Sequence, residues 1–327
     1  MISRRTLLIG ASALTAVAGL SGTAQAQGQP WPTRPIKMIV PYPPGGSTDI
    51  TARVVGEKLQ PLLGQPVVID NRSGAGGNLG MEAAARSEPD GYTFAVATTA
   101  HAINMTLFKS LPYHILDSFV PVALLTENPL LLVVPASSPF KTVDALIAAA
   151  RQKPGALDYA TSGVGQSTHL AAELFASMAG VKLTHVPYRG SAPAIADVIA
   201  GHVQMMFDTT QSALPYVKDG RLRALAVTAS ERIALLPDLP TLSESGLKGY
   251  VATAWNGVVA PKGTPDAIVA KMNADIVRVL AMPDVKQRFA ELGATCPPST
   301  PASFRAYVAD EISKWGAVVQ SSGAKVE

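Results

Sequence analysis

The residues IKMIVPYPPGGSTDI at positions 36–50 indicate the fold most clearly. Residues 36–40 form a short apolar run that is typical of a buried strand, and the prolines and glycines of residues 41–46 end it. The polar residues at 47–49 are suited to cap a helix, which we expect to run to about Leu63. A strand, a glycine-containing loop and a helix in this order form the first part of a β-α-β unit.

The same succession recurs along the chain and predicts an α/β protein with a parallel sheet. Further strands are expected at residues 67–70, 92–97, 130–134, 157–160, 182–186, 205–207, 223–227 and 256–259. The chain crosses from a first group of elements to a second and then returns, so we expect two lobes with a cleft between them. Lobe 1 comprises residues 27–126 and 251–327, and lobe 2 comprises residues 127–250. The last helices, beginning at Pro265, are expected to pack back on lobe 1.

The N-terminus has the three parts of a signal peptide. Arg4-Arg5 gives a positive start, residues 7–20 are mostly apolar, and Ala24-Gln25-Ala26 has the A-x-A form of a cleavage site. The arginine pair is typical of twin-arginine (Tat) export, and a Sec signal also has basic residues here. We therefore expect residues 1–26 to be cleaved and the mature protein to lie in the periplasm.

Composition argues against several classes of protein. The 327 residues are 47% hydrophobic and 16% charged, which indicates a globular rather than a disordered chain. The net charge of +3 falls to about +1 once the leader is removed, so no basic surface for nucleic acid is expected. Cys296 is the single cysteine, and the five histidines lack metal-binding spacings. We expect no metal, no cofactor and a monomer.

Three of the predicted strand-to-helix turns are rich in glycine and in hydroxyl or amide side chains. They lie at residues 44–48, 73–78 and 161–168. In a parallel α/β sheet these turns sit at the carboxyl ends of the strands, where ligands bind. Each exposes unpaired N–H groups at the positive end of a helix dipole, which suits a small anion. His169 follows the third of these turns, and His101 ends a further turn at residues 98–101; both are candidate donors to a carboxylate. Helix capping without a ligand is the alternative for each turn taken alone.

Two enzymatic interpretations stay open. Residues 74–80 resemble a dinucleotide-binding fingerprint, but Leu79 stands where the third glycine belongs. A hydrolase of a small ester or amide could use Ser167 or Ser47 as its nucleophile, but the G-x-S-x-G elbow is missing because His169 replaces the second glycine. We favour a binding protein without catalysis, with an exported α/β hydrolase as the alternative.

Five segments occur in an order that is specific when taken together. They are PYPPGGSTD at 41–49, NRSGAGGN at 71–78, PDGYT at 89–93, HVPYRG at 185–190 and GHVQMMFD at 201–208. In this order they resemble the Bug family of extracytoplasmic solute receptors, the binding components of tripartite tricarboxylate transporters, over nearly the whole mature chain. The resemblance implies a two-lobed periplasmic binding protein fold of the type II class, with the ligand cleft between the lobes. It also implies membrane permease subunits as partners.

The resemblance further implies which ligand is bound and where. The expected ligand is a di- or tricarboxylate, an acidic amino acid or an aromatic acid, with one carboxylate held largely by main-chain N–H groups and ordered waters near the first loop. In lobe 1 the implied ligand-binding residues are Tyr42, Gly45, Gly46, Ser47, Thr48, Asp49, Asn78, Thr98, Thr99 and His101. In lobe 2 they are Thr161, Ser162, Gly163, Gln166, Ser167, Thr168 and Asp208, the last at the far end of the ligand.

Overall fold

The computed structural model describes residues 31–322 and residue 324, with side chains in the last helix described as far as Gln320. The predicted signal peptide lies outside the described residues. All the elements below belong to one compact unit that begins at Pro32. None of its described helices has the length and apolar character needed to cross a membrane.

Strands and helices alternate through most of the described chain. The strands are β1 (Ile36–Val40), β2 (Val67–Asn71), β3 (Thr93–Thr98), β4 (Phe119–Pro135), β5 (Asp158–Thr161), β6 (Thr184–Pro187), β7 (Met205–Thr209), β8 (Leu222–Val227) and β9 (Thr253–Pro261). The helices are α1 (Ser47–Leu63), α2 (Asn78–Ala85), α3 (Thr99–Leu107), α4 (Val143–Gln152), α5 (Ser167–Ala179), α6 (Ser191–Ala200), α7 (Thr210–Lys218), α8 (Asp266–Ala281), α9 (Pro283–Glu291) and α10 (Pro301–Ser322).

The strands join in the order β2-β1-β3-β9-β4-β7-β5-β6, and β8 also pairs with β4. The expected parallel pairing is present in the two outer groups, β2-β1-β3 and β7-β5-β6. The central strands depart from it, because β9 is antiparallel to β3 and β4, and β4 is antiparallel to β7 and β8. The sheet is therefore mixed.

The long strand β4 joins the two halves of the sheet. Its residues 119–129 pair with β9, and its residues 130–135 pair with β7 and β8. The sequence predicted a strand only at residues 130–134, but β4 also includes residues 119–129, where Glu127 and Asn128 lie opposite Trp255 and Ala254 on β9. Below, "the first half" means the elements on the β9 side of this change of partner, and "the second half" means β5 to β8 with their helices.

Helix α8 packs on α1 and β4, and α10 contacts both halves through α3 and α5. Trp315 of α10 lies in one apolar cluster with Leu107 of α3 and Phe175 of α5. Glu311 is buried in α10 and accepts hydrogen bonds from the indole N–H groups of Trp255 at 3.0 Å and Trp315 at 2.8 Å. The helix therefore ties β9 and both halves together.

Candidate ligand-binding site

Turns from both halves meet at the carboxyl ends of the parallel strands. The side-chain amide of Gln166, which precedes α5, donates from Nε2 to the carbonyl oxygen of Gly76 at 3.0 Å. Beside this contact, the backbone of Gly165 packs so closely on α3 that a Cβ there would lie 2.7 Å from Asn104 Oδ1. The structure therefore brings the predicted turns at 73–78 and 161–168 into direct contact.

Asp49 organises the first loop from within. Its Oδ2 accepts hydrogen bonds from the N–H of Gly45 and from Arg53 Nε, both at 2.9 Å, and its Oδ1 accepts one from Asn71 Nδ2 at 2.9 Å. Burial opposes ionisation, but these bonds outweigh it and lower the pKa of Asp49. The Asp49 carboxylate thus binds the Gly45 N–H, although Gly45 and Asp49 were both predicted to contact the ligand.

The start of α1 leaves main-chain donors available. Gly46 is the N-cap of the helix, and no side chain caps it. The first N–H groups of a helix have no partner inside the helix and lie at the positive end of its dipole. Gly46, Ser47 and Thr48 therefore present the kind of donors that hold a carboxylate.

Neutral side chains adjoin this loop. Tyr42 Oη lies 3.0 Å from Thr98 Oγ1, and the N–H of Thr98 donates to His101 Nδ1 at 2.9 Å. Burial lowers the pKa of His101 to about 3, and the nearby Gly77 backbone opposes this shift only in part. Burial also raises the pKa of Tyr42 to about 12, against the opposing effects of Thr98 and Gln166. Both groups are therefore uncharged at pH 7.

The protonation of His101 follows from its partner. Because Nδ1 accepts a hydrogen bond, the neutral ring carries its proton on Nε2. This Nε2 is buried and has no hydrogen-bond partner among the described residues. Gly77 has a φ of +95°, and a Cβ there would lie 2.9 Å from both His101 Nε2 and Tyr42 Oη. The absence of a side chain at Gly77 thus leaves room for His101 Nε2 and Tyr42 Oη beside the backbone.

Asn78 and Thr99 make their contacts inside the first half. Asn78 Oδ1 accepts hydrogen bonds from Asn104 Nδ2 at 2.9 Å and Tyr113 Oη at 2.6 Å, which leaves its own buried Nδ2 unpaired. Thr99 Oγ1 accepts the N–H of Trp255 at 2.8 Å. Its hydroxyl is therefore directed to β9, whereas the amide of Asn78 keeps a donor to spare.

Two stacked imidazoles support the turn of the second half. The ring centroids of His169 and His185 are 4.2 Å apart. His185 Nε2 lies 2.6 Å from Thr161 Oγ1, and His169 Nδ1 accepts the N–H of Gly165 at 3.3 Å. Burial lowers the pKa of His169 to about 3 and that of His185 to about 4, so both rings are neutral at pH 7. Since Nε2 of His169 faces Glu173 at 3.8 Å, this ring holds the turn and is not directed to a ligand.

The rest of this turn resembles the start of α1. Both the N–H and the Oγ of Ser162 lie 3.0 Å from Thr168 Oγ1, and Gly163 has a φ of +140°. Gln166 is the N-cap of α5 and no side chain caps the helix, so the first N–H groups, beginning at Ser167, point out of the helix end. A second set of main-chain donors is therefore available.

Asp208 is the buried carboxyl of the second half. Its Oδ1 accepts hydrogen bonds from Ser191 Oγ at 2.9 Å and from the N–H of Thr209 at 2.8 Å. Its Oδ2 has no partner in the described part of the chain, and burial raises the pKa of Asp208 to about 7. Gln211, in the first turn of α7, is also buried, and both its Nε2 and its Oε1 lack partners.

Several buried polar atoms in residues 31–320 have no hydrogen-bond partner there. They are Thr51 Oγ1, Asn78 Nδ2, His101 Nε2, Asn104 Oδ1, Asn128 Oδ1, Asp208 Oδ2, Gln211 Nε2 and Gln211 Oε1. Except for Thr51 in α1 and Asn128 in β4, they belong to residues in α2, α3 and α7 or at the end of β7, where helices follow strands. Such atoms are costly to bury without a partner, so they indicate a site for a polar ligand with water.

Several of these residues were not predicted from the sequence. Asn104 lies on α3, where no helix was predicted, and Asn128 lies beside the expected boundary between the lobes. Ser191 directly follows the segment 185–190, which carried the family resemblance. Its position at the start of α6 was the signal that could have identified it. No cluster of three or more His, Cys, Asp or Glu side chains in the described residues could hold a metal ion.

A mixed α/β sheet whose turns from two halves meet around neutral donors is the architecture of a periplasmic solute-binding protein. The chain belongs to the tripartite tricarboxylate transporter family of receptors, whose sequence profile matches residues 51–324. This membership makes it a solute-binding receptor and not an enzyme, so the hydrolase alternative is set aside.

Individual relatives agree with this assignment. Protein BugT of Bordetella pertussis is 40% identical over 314 residues, which are 95% of this chain and 96% of the relative. The structure of Rpa4515 from R. palustris with adipate has a TM-score of 0.87 and 38% identity, covering 90% of this chain and 100% of that one. MatC of Rhodopseudomonas palustris with bound malate has a TM-score of 0.84 and 37% identity, covering 88% and 100%. The predicted fold and receptor class are confirmed.

Proposed function

We propose that the mature protein binds one small carboxylate, with a dicarboxylate the foremost candidate, and delivers it to the membrane permease of a tripartite transporter. The observation that carries this proposal is the group of unpaired buried polar atoms on both halves, most of them where helices follow strands. The adipate and malate bound by the two R. palustris relatives support a dicarboxylate.

The proposed ligand lies between two lobes with the boundaries given above. In support, β4 changes partner from β9 to β7 between Pro129 and Leu130, close to the first boundary. The second boundary lies shortly before β9 begins at Thr253. Pairs of strands that cross together between lobes form a hinge about which a cleft can close.

Each end of the ligand has its own proposed partners. One carboxylate is bound by N–H groups at residues 46–48, with Tyr42 Oη and His101 Nε2 as neutral donors beside them. The other end meets the turn at 161–168 and Asp208. Since neutral donors hold the first carboxylate without a buried cation, the ligand can be released when the lobes open.

A titration calorimetry and thermal-shift screen tests the proposal. The panel contains C4 to C6 dicarboxylates, citrate, aspartate, glutamate, nicotinate and aromatic diacids. We expect saturable binding of at least one acid, and about 2.7 kcal/mol of added stability when its concentration is 100 times Kd. A flat response across the whole panel would contradict the proposal.

A matched pair of variants places the site. Tyr42→Phe removes only the hydroxyl beside Thr98, and the loss of a hydrogen bond to a charged ligand is expected to weaken binding about 10- to 100-fold. Tyr216→Phe makes the same chemical change on α7, where the ring stacks with Arg221, and is expected to leave affinity unchanged. Equal affinities in the two variants would argue against this site.

We also propose export by a Tat or Sec signal, with the protein acting as a periplasmic monomer. Mass spectrometry of the protein from a periplasmic extract is expected to show an N-terminus at Gln27. Replacing Arg4 and Arg5 by lysine is expected to abolish export by the Tat route and to leave Sec export intact. Retention of the full-length chain in the cytoplasm would contradict the proposal.

A further inference from the structure

Asp208 combines a satisfied oxygen with an unsatisfied one. Ser191 and Thr209 both donate to its Oδ1, whereas its Oδ2 has no hydrogen-bond partner in residues 31–322 although the side chain is fully buried. Leaving an acceptor of this strength unused in the interior is unfavourable. Oδ2 is therefore an acceptor that needs a donor from outside the chain.

The position of Asp208 places this acceptor at the ligand turns. The parallel register of β5 and β7 puts Ser162 level with Asp208 at the carboxyl ends of the strands. The N–H of Gly190 donates to the carbonyl oxygen of Ser162 at 3.1 Å, and the next residue, Ser191, donates to Asp208. Asp208 thus lies among the turns that follow β5, β6 and β7.

The surroundings of Asp208 supply no counter-charge. Its partner in β4 is Leu131, and the first turn of α7 contributes the neutral Gln211. The helices packed against β7 carry the titratable residues His169 and Glu173 on α5, Asp197 on α6 and Lys218 on α7. The turn after β6 adds the exposed Arg189, and His185 on β6 bonds to Thr161. Asp208 makes no salt bridge within the described residues. A second carboxylate brought against it would therefore be repelled.

We propose that Asp208 selects the distal end of the ligand and binds only a group that donates a hydrogen bond to its Oδ2; this inference rests on the proposed function. A dicarboxylate meets the requirement by bringing one proton, which is shared between its distal carboxyl group and Asp208. A 2-amino diacid meets it with its ammonium group. Gln211, with a free amide donor and acceptor, is placed to bind the second oxygen of a distal carboxyl.

The two kinds of ligand have opposite pH dependences. A dianion that binds together with one proton loses affinity tenfold for each pH unit above the pKa of Asp208, because the protonated fraction of the site falls tenfold. An ammonium needs the ionised form of Asp208, so its affinity falls as pH drops below that pKa. Burial raises the pKa of Asp208 to about 7, so both trends lie within an accessible range.

Titration calorimetry of the whole mature protein tests the inference. The probes are succinate, adipate, aspartate and monomethyl adipate, measured from pH 6 to 9 in buffers of different ionisation enthalpy. For the wild type we expect uptake of one proton with a bound dicarboxylate, and weaker binding of monomethyl adipate than of adipate at low pH. In Asp208→Asn the side-chain oxygen still accepts hydrogen bonds from Ser191 and Thr209. We expect this variant to bind dicarboxylates without proton uptake and without the tenfold loss of affinity per pH unit.

A second variant keeps the inference testable if Asp208→Asn fails to fold. Ser191→Ala removes one donor that lowers the pKa of Asp208, so the midpoint of the pH profile is expected to move to higher pH. If a dicarboxylate binds with no proton uptake and with the same pH profile in wild type and variants, the inference is overturned and the proposed function stands. If no acid binds at all, the proposed function fails and the inference fails with it.

Discussion

Gly165 is a position where one added methyl group should directly disturb the contact between the two halves. Its φ is +76°, in the left-handed region that favours glycine. A Cβ there would lie 2.7 Å from Asn104 Oδ1 and 2.9 Å from Leu107 Cδ2, both on α3. The left-handed conformation costs alanine about 1–2 kcal/mol, and overpacking adds about 1–3 kcal/mol. We therefore expect Gly165→Ala to lower the free energy of unfolding by about 2–5 kcal/mol.

Gly201→Ala is the matched control. Gly201 follows α6 with a φ of +81°, and nothing lies within 4 Å of a Cβ at this position. Its replacement should therefore cost only the conformational part, about 1–2 kcal/mol. Urea unfolding with linear extrapolation measures both variants. Equal destabilisation by the two substitutions would show that the steric contact between the halves is absent.

Three further predictions concern the same region. Gln166→Ala removes the hydrogen bond to Gly76 and should lower the free energy of unfolding by about 1 kcal/mol. It should also speed ligand dissociation in stopped-flow experiments, and an unchanged dissociation rate would count against this contact. The depressed pKa values of His169 and His185 mean that the unfolded chain binds more protons than the folded protein. The free energy of unfolding should therefore fall as pH drops from about 6.5 to about 4. A urea midpoint that stays constant over this range would contradict this prediction. The pKa of Asp208 is shifted in the opposite direction, so its ionised form destabilises the folded protein at high pH. Asp208→Asn should therefore be more stable than the wild type at pH 8 and lose that advantage at pH 4.

Elements with strong local signals were predicted well from the sequence. The sequence predicted helices at residues 143–152 and 167–179, and α4 and α5 have these bounds in the structure. For α4, Thr142 accepts the N–H of Ala145 as an N-cap, and for α5, Gly180 ends the helix in a left-handed conformation. These signals lie within a few residues of the element itself, so no tertiary information was needed.

Elements that depend on distant partners were not predicted. Strand β4 begins well before the predicted residue 130 because residues 119–129 pair with β9, which lies far away in the sequence. No helix was predicted at α3, whose capping box uses His101 in place of the usual glutamate or glutamine. In both cases the deciding contact is unusual or remote.

The candidate site was predicted in the same partial way. Glycine and hydroxyl residues marked the turns, but Gln211 carried no local signal because its unpaired amide matters only through its burial. Asp49 has the residue type of a ligand contact, yet in the structure it binds Gly45 and Arg53. Chemical type was therefore readable from the sequence, whereas the direction of each side chain was not.

A crystal structure of the mature protein with the tightest-binding acid of the panel shows whether both halves bind one ligand. We expect one carboxylate within hydrogen-bond distance, about 2.7–3.2 Å, of N–H groups at residues 46–48. We expect the other end of the same molecule against the turn at 161–168 and Asp208. An acid bound to one half alone, or away from both turns, would disprove the proposed site.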